Sequence, residues 1–339
     1  MRAIWLSALL LLAACASPSG SAATSSAPGS TPSPPLVATL DLSRVPGAAA
    51  AGADGLWIAD YDRGDVTHVS GGARLSASTV HVGDPRSLQP GCQTGSVHYA
   101  PTGSFIIRRC DLPAGMAVGA GGVWTGRNDE QAVVRIDPRT GKVAATVPVG
   151  MHVFNLAASE TQVIVDSYED NLVAAIDPRT NRVLWREPLL HSPSGIAFAD
   201  GSAWIALTGG FAVVRLDPRT GAVLATVPVG GKPFPLASAA GAVWVRCEQD
   251  STVWRVDPAT NQASAHVPVD PFYGNDGLDS MVGSPNGVWI SGLALQRIDA
   301  ATNRVVGSLP LPGRPYAASG GRIWVIGVGG RLSLVQLPG

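Results

Sequence analysis

Val133-Val-Arg-Ile-Asp137-Pro-Arg-Thr-Gly141 decides the fold of this chain, because it comes back. It returns as Ala174-Ala-Ile-Asp177-Pro-Arg-Thr-Asn181 and as Val214-Arg-Leu-Asp217-Pro-Arg-Thr-Gly221. Two further copies are Trp254-Arg-Val-Asp257-Pro-Ala-Thr-Asn261 and, more loosely, Gln296-Arg-Ile-Asp299-Ala-Ala-Thr-Asn303. The aspartates stand 40, 40, 40 and 42 residues apart. Self-similarity at a fixed period of this size marks a repeat architecture. Repeated residues build the scaffold, so function belongs where the repeats differ.

Working outward from the phrase, each period holds four strands. In residues 231–270 they are Phe234–Ser238, Gly241–Arg246, Thr252–Asp257 and Ala263–Val269. Pro-x-Thr-Gly/Asn, between the third and fourth, is turn chemistry: proline fixes φ, and Gly or Asn accepts a left-handed backbone. Four antiparallel strands in forty residues make one propeller blade. A tryptophan in the second strand serves as a ruler, at Trp57, Trp124, Trp204, Trp244, Trp289 and Trp324, with Ile164 in the same slot of the third unit. That gives seven units. The last lacks a fourth strand after Arg331-Leu-Ser-Leu-Val-Gln336, and Leu36-Val-Ala-Thr-Leu-Asp-Leu42 matches the missing phrase. The expectation is an all-β, seven-bladed propeller of four-stranded antiparallel blades over 36–338, its last blade closed by an N-terminal strand. Such closure hides an edge that would otherwise invite aggregation.

Composition agrees. Apolar residues make up 45% of the 339, and 40 Gly with 27 Pro suit short strands and many turns. A formal net charge of −1 offers no single-signed field, so nucleic acid is not an expected partner. At the N-terminus, Arg2 precedes an apolar run, Ile4–Leu12, too short to span a bilayer. Leu12-Ala13-Ala14-Cys15 resembles the lipobox of bacterial lipoproteins, in which cleavage precedes the cysteine and the cysteine is acylated. The resemblance implies a signal peptide over 1–14, lipidation at Cys15, and a chain exported and anchored to the membrane on its extracytoplasmic side. Residues 16–35, rich in Ser, Pro and Ala, read as a disordered linker with a reach on the order of 25 Å.

Gly-Val-Trp124, Arg135-Ile-Asp-Pro-Arg-Thr-Gly-Lys-Val143 and Ala145-Thr-Val-Pro-Val-Gly150 resemble the YVTN-type propeller repeats of bacterial surface proteins. They are also similar to the streptogramin (virginiamycin B) lyase-like propellers. The resemblance covers nearly all the chain beyond residue 36. It implies the fold, while function must be argued from the site. On this reading the tryptophans pack between neighbouring blades and the Asp-Pro aspartates accept backbone N–H bonds in tight turns. Arg135, Arg215, Arg255 and Arg297, two residues before those aspartates, are expected to cover blade surfaces with their stems.

In propellers of this kind the loops from fourth strand to next blade share one face with the second-to-third loops, and that face holds the binding site. Three departures from the repeat fall there. The first is an insertion of about 84–111, whose Cys92 and Cys110 are expected to form a disulfide in an oxidising compartment. Cys247 is then left over, read as a buried thiol, with pairing to Cys92 or Cys110 as the alternative. The second is the long junction Asp270–Asp279, with Phe272 and Tyr273 as a lip. The third is variation at matched positions: Phe154, Phe234 and Tyr316 at first-strand entries, preceded by His152, Lys232 and Arg314, and Asp60, Arg127, Asp166 and Arg246 at second-strand exits. Together they are the candidate ligand-binding set, an aromatic floor with mixed charge suited to a small polar or anionic ligand.

No catalytic residue and no cofactor is assigned. Streptogramin lyases use a Glu-x-His pair around a divalent metal, and none of His68, His81, His98, His152, His191 and His266 stands in such a pair. The leading expectation is a lipid-anchored surface propeller binding a small polar ligand or a protein partner at the channel mouth. The alternative is a metal-dependent lyase or lactonase on the same face, its divalent cation held by Asp60, Asp129, Asp166 and Glu169. A third reading is a structural protein of envelope assembly that docks through blade edges.

Overall fold

Seven four-stranded antiparallel sheets follow one another along the chain in the computed structural model. It describes residues 36–42, 47–60, 64–83, 93–99, 103–109, 113–128, 130–271, 280–292, 294–327 and 329–337. Blades 1 to 6 span 48–81, 113–148, 155–188, 193–228, 233–268 and 281–309, each a simple meander. Blade 7 takes three strands from 314–336 and its fourth from Leu36–Asp41, which pairs antiparallel with Arg331–Gln336. This is the expected closure. Leu42 N–H donates to Gly330 O at 2.9 Å, and Arg331 Nε lies 2.9 Å from Asp41 Oδ1. The described part of the insertion is a separate hairpin, Gln93–Tyr99 against Gly103–Arg109. Cys92 and Cys110 lie outside the described residues, as do Phe272, Tyr273 and the lipobox.

The first strand of every blade is innermost, and consecutive first strands touch around the ring. Seven strands converging on one axis leave little room, which explains sequences such as Ala48-Ala-Ala-Ala-Gly52. At Gly283 a Cβ would overlap the Ser238 carbonyl of the neighbouring blade.

Stability comes from between the blades. Seven apolar clusters lie at the seven interfaces, each mixing residues of adjacent sheets. Trp57, Trp124, Trp204, Trp244 and Trp289 are buried in them, as is Ile164, while Trp324 is partly buried. Truncating such a tryptophan to alanine costs about 3–5 kcal/mol.

The recurring arginines do more than cover surface. Arg135 Nη1 donates to Pro178 O of the next blade at 2.5 Å and to Asn181 Oδ1 at 3.1 Å. Arg215 does the same to Pro258 O at 2.6 Å and Asn261 Oδ1 at 3.1 Å, and Arg255 to Ala300 O and Asn303 Oδ1, both at 3.3 Å. Each guanidinium also lies over its own blade's tryptophan, 5.2–5.8 Å from the ring centroid. They are interblade staples, seated on turns that the aspartates organise. Asp137, Asp177, Asp217 and Asp257 each accept the N–H two residues on at 2.8–2.9 Å. Blade 3 lacks both the tryptophan and the arginine, carrying Ile164 and Ala175. There Gln162 Nε2 and Trp185 Nε1 donate to Pro218 O instead, at 2.8 and 2.9 Å, so the staple survives with different chemistry.

Candidate functional site

The repeat is broken most at the N-terminal ends of the innermost strands. Four of them begin with a bulge: the register slips between Ala114 and Met116, Pro193 and Ile196, Pro233 and Leu236, and Pro315 and Ala317. A bulged residue leaves the ladder and is re-aimed. Here the bulged Gly115, Gly195, Phe234, Pro235 and Tyr316 all turn to the axis and line a cavity of about 180 Å³. Every blade contributes to it, blade 1 through Ala48 and Ala49, blade 3 through Phe154–Leu156 and blade 6 through Ser280 just before its first strand. Proline at the entry has a physical reason, since a residue without N–H fits where the ladder starts irregularly. Gly115 is needed as glycine: its φ is +59°, and a Cβ would stand 2.7 Å from Leu156 Cδ1.

One wall of the cavity is aromatic. The rings of Phe154 and Phe234 are 6.1 Å apart, and Tyr168 backs Phe154 at 5.3 Å. On blade 7 stands a polar pair: Arg314, only 9% exposed, donates from Nη1 to the Tyr316 hydroxyl at 3.5 Å. Burial raises the Tyr316 phenol above its usual range, against the opposing pull of the guanidinium.

A collar of buried and partly buried polar groups links neighbouring blades around this mouth from blade 2 to blade 7. Asn128 Oδ1 accepts Val153 N–H at 2.8 Å, Asn155 Nδ2 donates to Ser194 O at 2.9 Å, and Thr208 Oγ1 donates to Pro233 O at 3.1 Å. Arg246, fully buried, donates to Ser291 O at 2.9 Å and Asp270 O at 3.0 Å, and Ser280 Oγ donates to Pro315 O. The collar holds the bulged strands in place without any ligand. Asp166 belongs to it too: its Oδ1 accepts Asn155 N–H at 2.8 Å. Burial pushes its carboxyl up to about 8, with the Asn155 hydrogen bond pulling the other way.

Of the ten candidates, Phe154, Phe234, Arg314 and Tyr316 line the cavity and the other six do not. Asp166 and Arg246 sit in the collar. His152 Nδ1 lies 3.1 Å from Asp170 Oδ2, which also accepts His152 N–H and Ser167 Oγ–H. Burial alone would raise Asp170, but these bonds outweigh it and hold the carboxyl below its usual range. Lys232 pairs with Glu248 at 2.9 Å, and Arg127 with Glu130 at 2.8 Å. Asp60 ends the second strand of blade 1 opposite Asp65. Cys247 is fully buried and free, its thiol raised by burial to about 12. Among the described residues no group of three or more His, Cys, Asp or Glu stands close enough to share a metal ion. Asp129 lies outside the described residues.

The lining also includes residues that position alone did not single out: Gly115, Met116, Asn155, Gly195, Pro235 and Ser280. For Gly115, Gly195 and Pro235 the signal is the entry proline two residues before, as in Pro113-Ala-Gly115, Pro193-Ser-Gly195 and Pro233-Phe-Pro235, and Met116, Asn155 and Ser280 carry no such mark.

A family model described as outer membrane protein assembly factor BamB matches residues 57–237, more than half of the chain. The chain belongs to that family. No curated protein sequence matches this BamB-family chain. Among solved structures, virginiamycin B lyase from Staphylococcus aureus is similar with a TM-score of 0.64 at 12% identity, covering 89% of this chain and 99% of that one. BamB from Moraxella catarrhalis gives a TM-score of 0.54 at 13% identity over the same shares, 89% and 99%. The WD40 propeller domain of Doa1 gives 0.64 at 12% identity, covering 90% and 97%. At these identities the likeness shows the fold alone.

Proposed function

We propose that this chain is an exported, lipid-anchored propeller of the cell envelope that binds a small ligand in the axial mouth cavity. One observation carries the reading: the blades depart from their repeat at the mouth, and the departures converge on one cavity of about 180 Å³. Bulges in four blades aim Phe234, Tyr316 and small residues into it, while the collar carries the structural bonds behind. A concave site in which aromatic and aliphatic side chains stand beside polar groups is a form that small-molecule sites take. The anchor rests on the lipobox-like Cys15, and Cys15→Ala should release the protein from the membrane fraction. The Cys92–Cys110 disulfide rests on exported context, with the adjoining Gln93 and Arg109 paired in the hairpin.

The test is a fragment panel of mixed charge titrated onto wild type and onto Phe234→Ala with Tyr316→Ala. Binding lost in the double variant at nearly unchanged Tm supports the reading. Unaltered affinity in that variant sinks it.

Family membership favours a second reading, a protein partner docked on the mouth face. The family model's description is that of an outer membrane assembly factor. On the rim of blade 4, Leu190 is 64% and Phe211 52% exposed, and Gly209 N–H to His191 O at 3.0 Å ties their two loops together. Phe211 holds a φ of +51° where its repeat mates are Gln131, Asn171 and Ser251. A bulky side chain in that backbone region is unusual and points to selection for its exposure. Loss of a co-purified partner on Leu190→Ser with Phe211→Ser, with fragment binding intact, would favour this reading.

A further inference from the structure

We propose that the face opposite the mouth is a membrane-docking face, which lays the turn ends of the blades on an anionic phospholipid surface and points the cavity away from it. The inference rests on the reading of the chain as lipid-anchored and adds how the head sits on its membrane.

Strand direction fixes where the anchor attaches. Every third strand runs from the mouth to the Asp-Pro turn end, and every fourth strand runs back. Leu36–Asp41 is the fourth strand of blade 7, with Leu36 beside Val335 at the turn end and Asp41 beside Arg331 at the mouth end. The linker of residues 16–35 therefore joins the propeller on the turn face. Its reach, on the order of 25 Å, roughly equals the height of a seven-residue strand, about 23 Å. A lipidated Cys15 thus holds the turn face nearest the bilayer, and the chemistry of that face decides whether it settles there.

That chemistry suits a lipid surface. Of the nine exposed large apolar residues in the described part, seven stand within the first three residues of an outer strand, at the turn end. Leu36 is one of them. The others are Val143 and Leu184 on blades 2 and 3, Val223 and Leu224 on blade 4, and Val305 and Val306 on blade 6. Three residues of strand span about 10 Å, the depth to which interfacial side chains enter a membrane. Exposed basic residues stand beside them: Lys142 before Val143, Arg182 before Val183-Leu184, Arg304 before Val305, and Arg139, Arg179 and Arg219 in the Asp-Pro turns. Aliphatic side chains can enter the surface while the long cationic stems reach for headgroups. Blade 5 interrupts the ring, with Ala259 and Gln262 in these places.

Charge is divided along the same axis. Among the described residues, Lys and Arg outnumber Asp and Glu by twelve to eight in the turn half, whereas Asp and Glu lead by eleven to six in the mouth half. Five of the eight acids are the turn aspartates, whose carboxylates accept N–H bonds of their own turns. Arg139 and Arg219 each come within 3.8 Å of their turn's aspartate, but their side chains are 89% and 83% exposed, and a pair so open is weak. They can turn to a phosphate at little loss. Each Lys or Arg brought to an anionic surface contributes about fivefold in binding. The acidic mouth half is repelled by the same surface. Without the anchor the contact is weak and reversible; with it, the contact sets which way the head lies.

The experiment is vesicle sedimentation of the chain from Ala16 onward, which lacks the anchor and keeps every strand of the fold. At low ionic strength it should bind phosphatidylglycerol vesicles, bind phosphatidylcholine vesicles poorly, and let go in high salt. Arg139→Gln with Arg179→Gln and Arg219→Gln should weaken binding about a hundredfold. Ala259 and Ala301 already hold that turn position in blades 5 and 6, so the fold tolerates the change, and melting curves check it. An environment-sensitive fluorophore on Leu224→Cys should brighten on vesicles, and one on Phe211→Cys at the mouth rim should not. Equal binding to both kinds of vesicle, unaltered binding by the triple variant, or brightening at Phe211 instead overturns the docking face. Binding to neither overturns it as well and returns the apolar rim to a protein partner. The assay contains no anchor, so these failures leave the anchor standing; that reading falls separately if the wild-type protein is found in the soluble fraction of cells.

Discussion

Asp166→Asn is expected to make the protein more stable at alkaline pH and to flatten its pH profile. Asp166 is fully buried, with Oδ1 accepting Asn155 N–H at 2.8 Å and Oδ2 buried without a hydrogen-bond partner. Burial raises its pKa from 3.8 to about 8. Between about pH 4 and pH 8 the folded protein therefore keeps a proton that the unfolded chain has released. Stability must fall as pH rises through that window, and level off above it. Some four pH units at about 1.4 kcal/mol each set a ceiling of about 6 kcal/mol. Relaxation and water access reduce such penalties, so about 2–3 kcal/mol is the working expectation. Asparagine keeps the shape and the acceptor for Asn155 N–H but cannot ionise. The assay is urea unfolding followed by tryptophan fluorescence over about pH 4 to 9, wild type against variant. Other groups affect both proteins alike, so the difference isolates Asp166. The variant should gain on wild type steadily toward pH 8. Parallel profiles, or a variant equally weakened at every pH, would refute the buried-acid argument.

Other outcomes follow from the same geometry. Arg215→Ala should lower stability by about 2 kcal/mol in urea unfolding, since it leaves the Pro258 carbonyl unanswered and uncovers Trp204; Arg215→Lys should recover little, because the fork geometry is lost. Cys247, buried and with its thiol raised to about 12, should resist maleimide until the protein unfolds, and rapid labelling of native protein would contradict its placement. Deleting Leu36–Asp41 should leave the outer edge of Arg331–Gln336 without its partner strand and cause concentration-dependent association, measurable by light scattering.

Much of the fold is legible in the sequence because its construction is local. A forty-residue period, turn residues at fixed offsets and one tryptophan per unit need no knowledge of distant contacts. Even the closing strand is visible, since Leu36–Leu42 repeats a fourth-strand phrase. The arginine staples are not. Each reaches a backbone carbonyl some 43 residues or more away, as from Arg135 to Pro178, and a carbonyl leaves no mark in a sequence, while the asparagines that also accept look like ordinary turn residues. The site is legible in part. Phe154, Phe234, Arg314 and Tyr316 stand out by breaking the repeat at the right strand ends. Asp166 and Arg246 break it equally, yet they turn into the collar. Strand alternation decides which way a side chain points, and the entry bulges reset that alternation by a residue or two. Gly115 and Gly195 are marked only by a proline two residues before, since a glycine lining a cavity otherwise looks like any other in a chain with 40 of them.

The claim that the mouth is where this protein works is tested most directly by a crystallographic fragment screen of the full head. The account predicts that bound fragments gather between Phe154, Phe234, Arg314 and Tyr316. Fragments spread over the blade edges, with the axial cavity left to water, would contradict it.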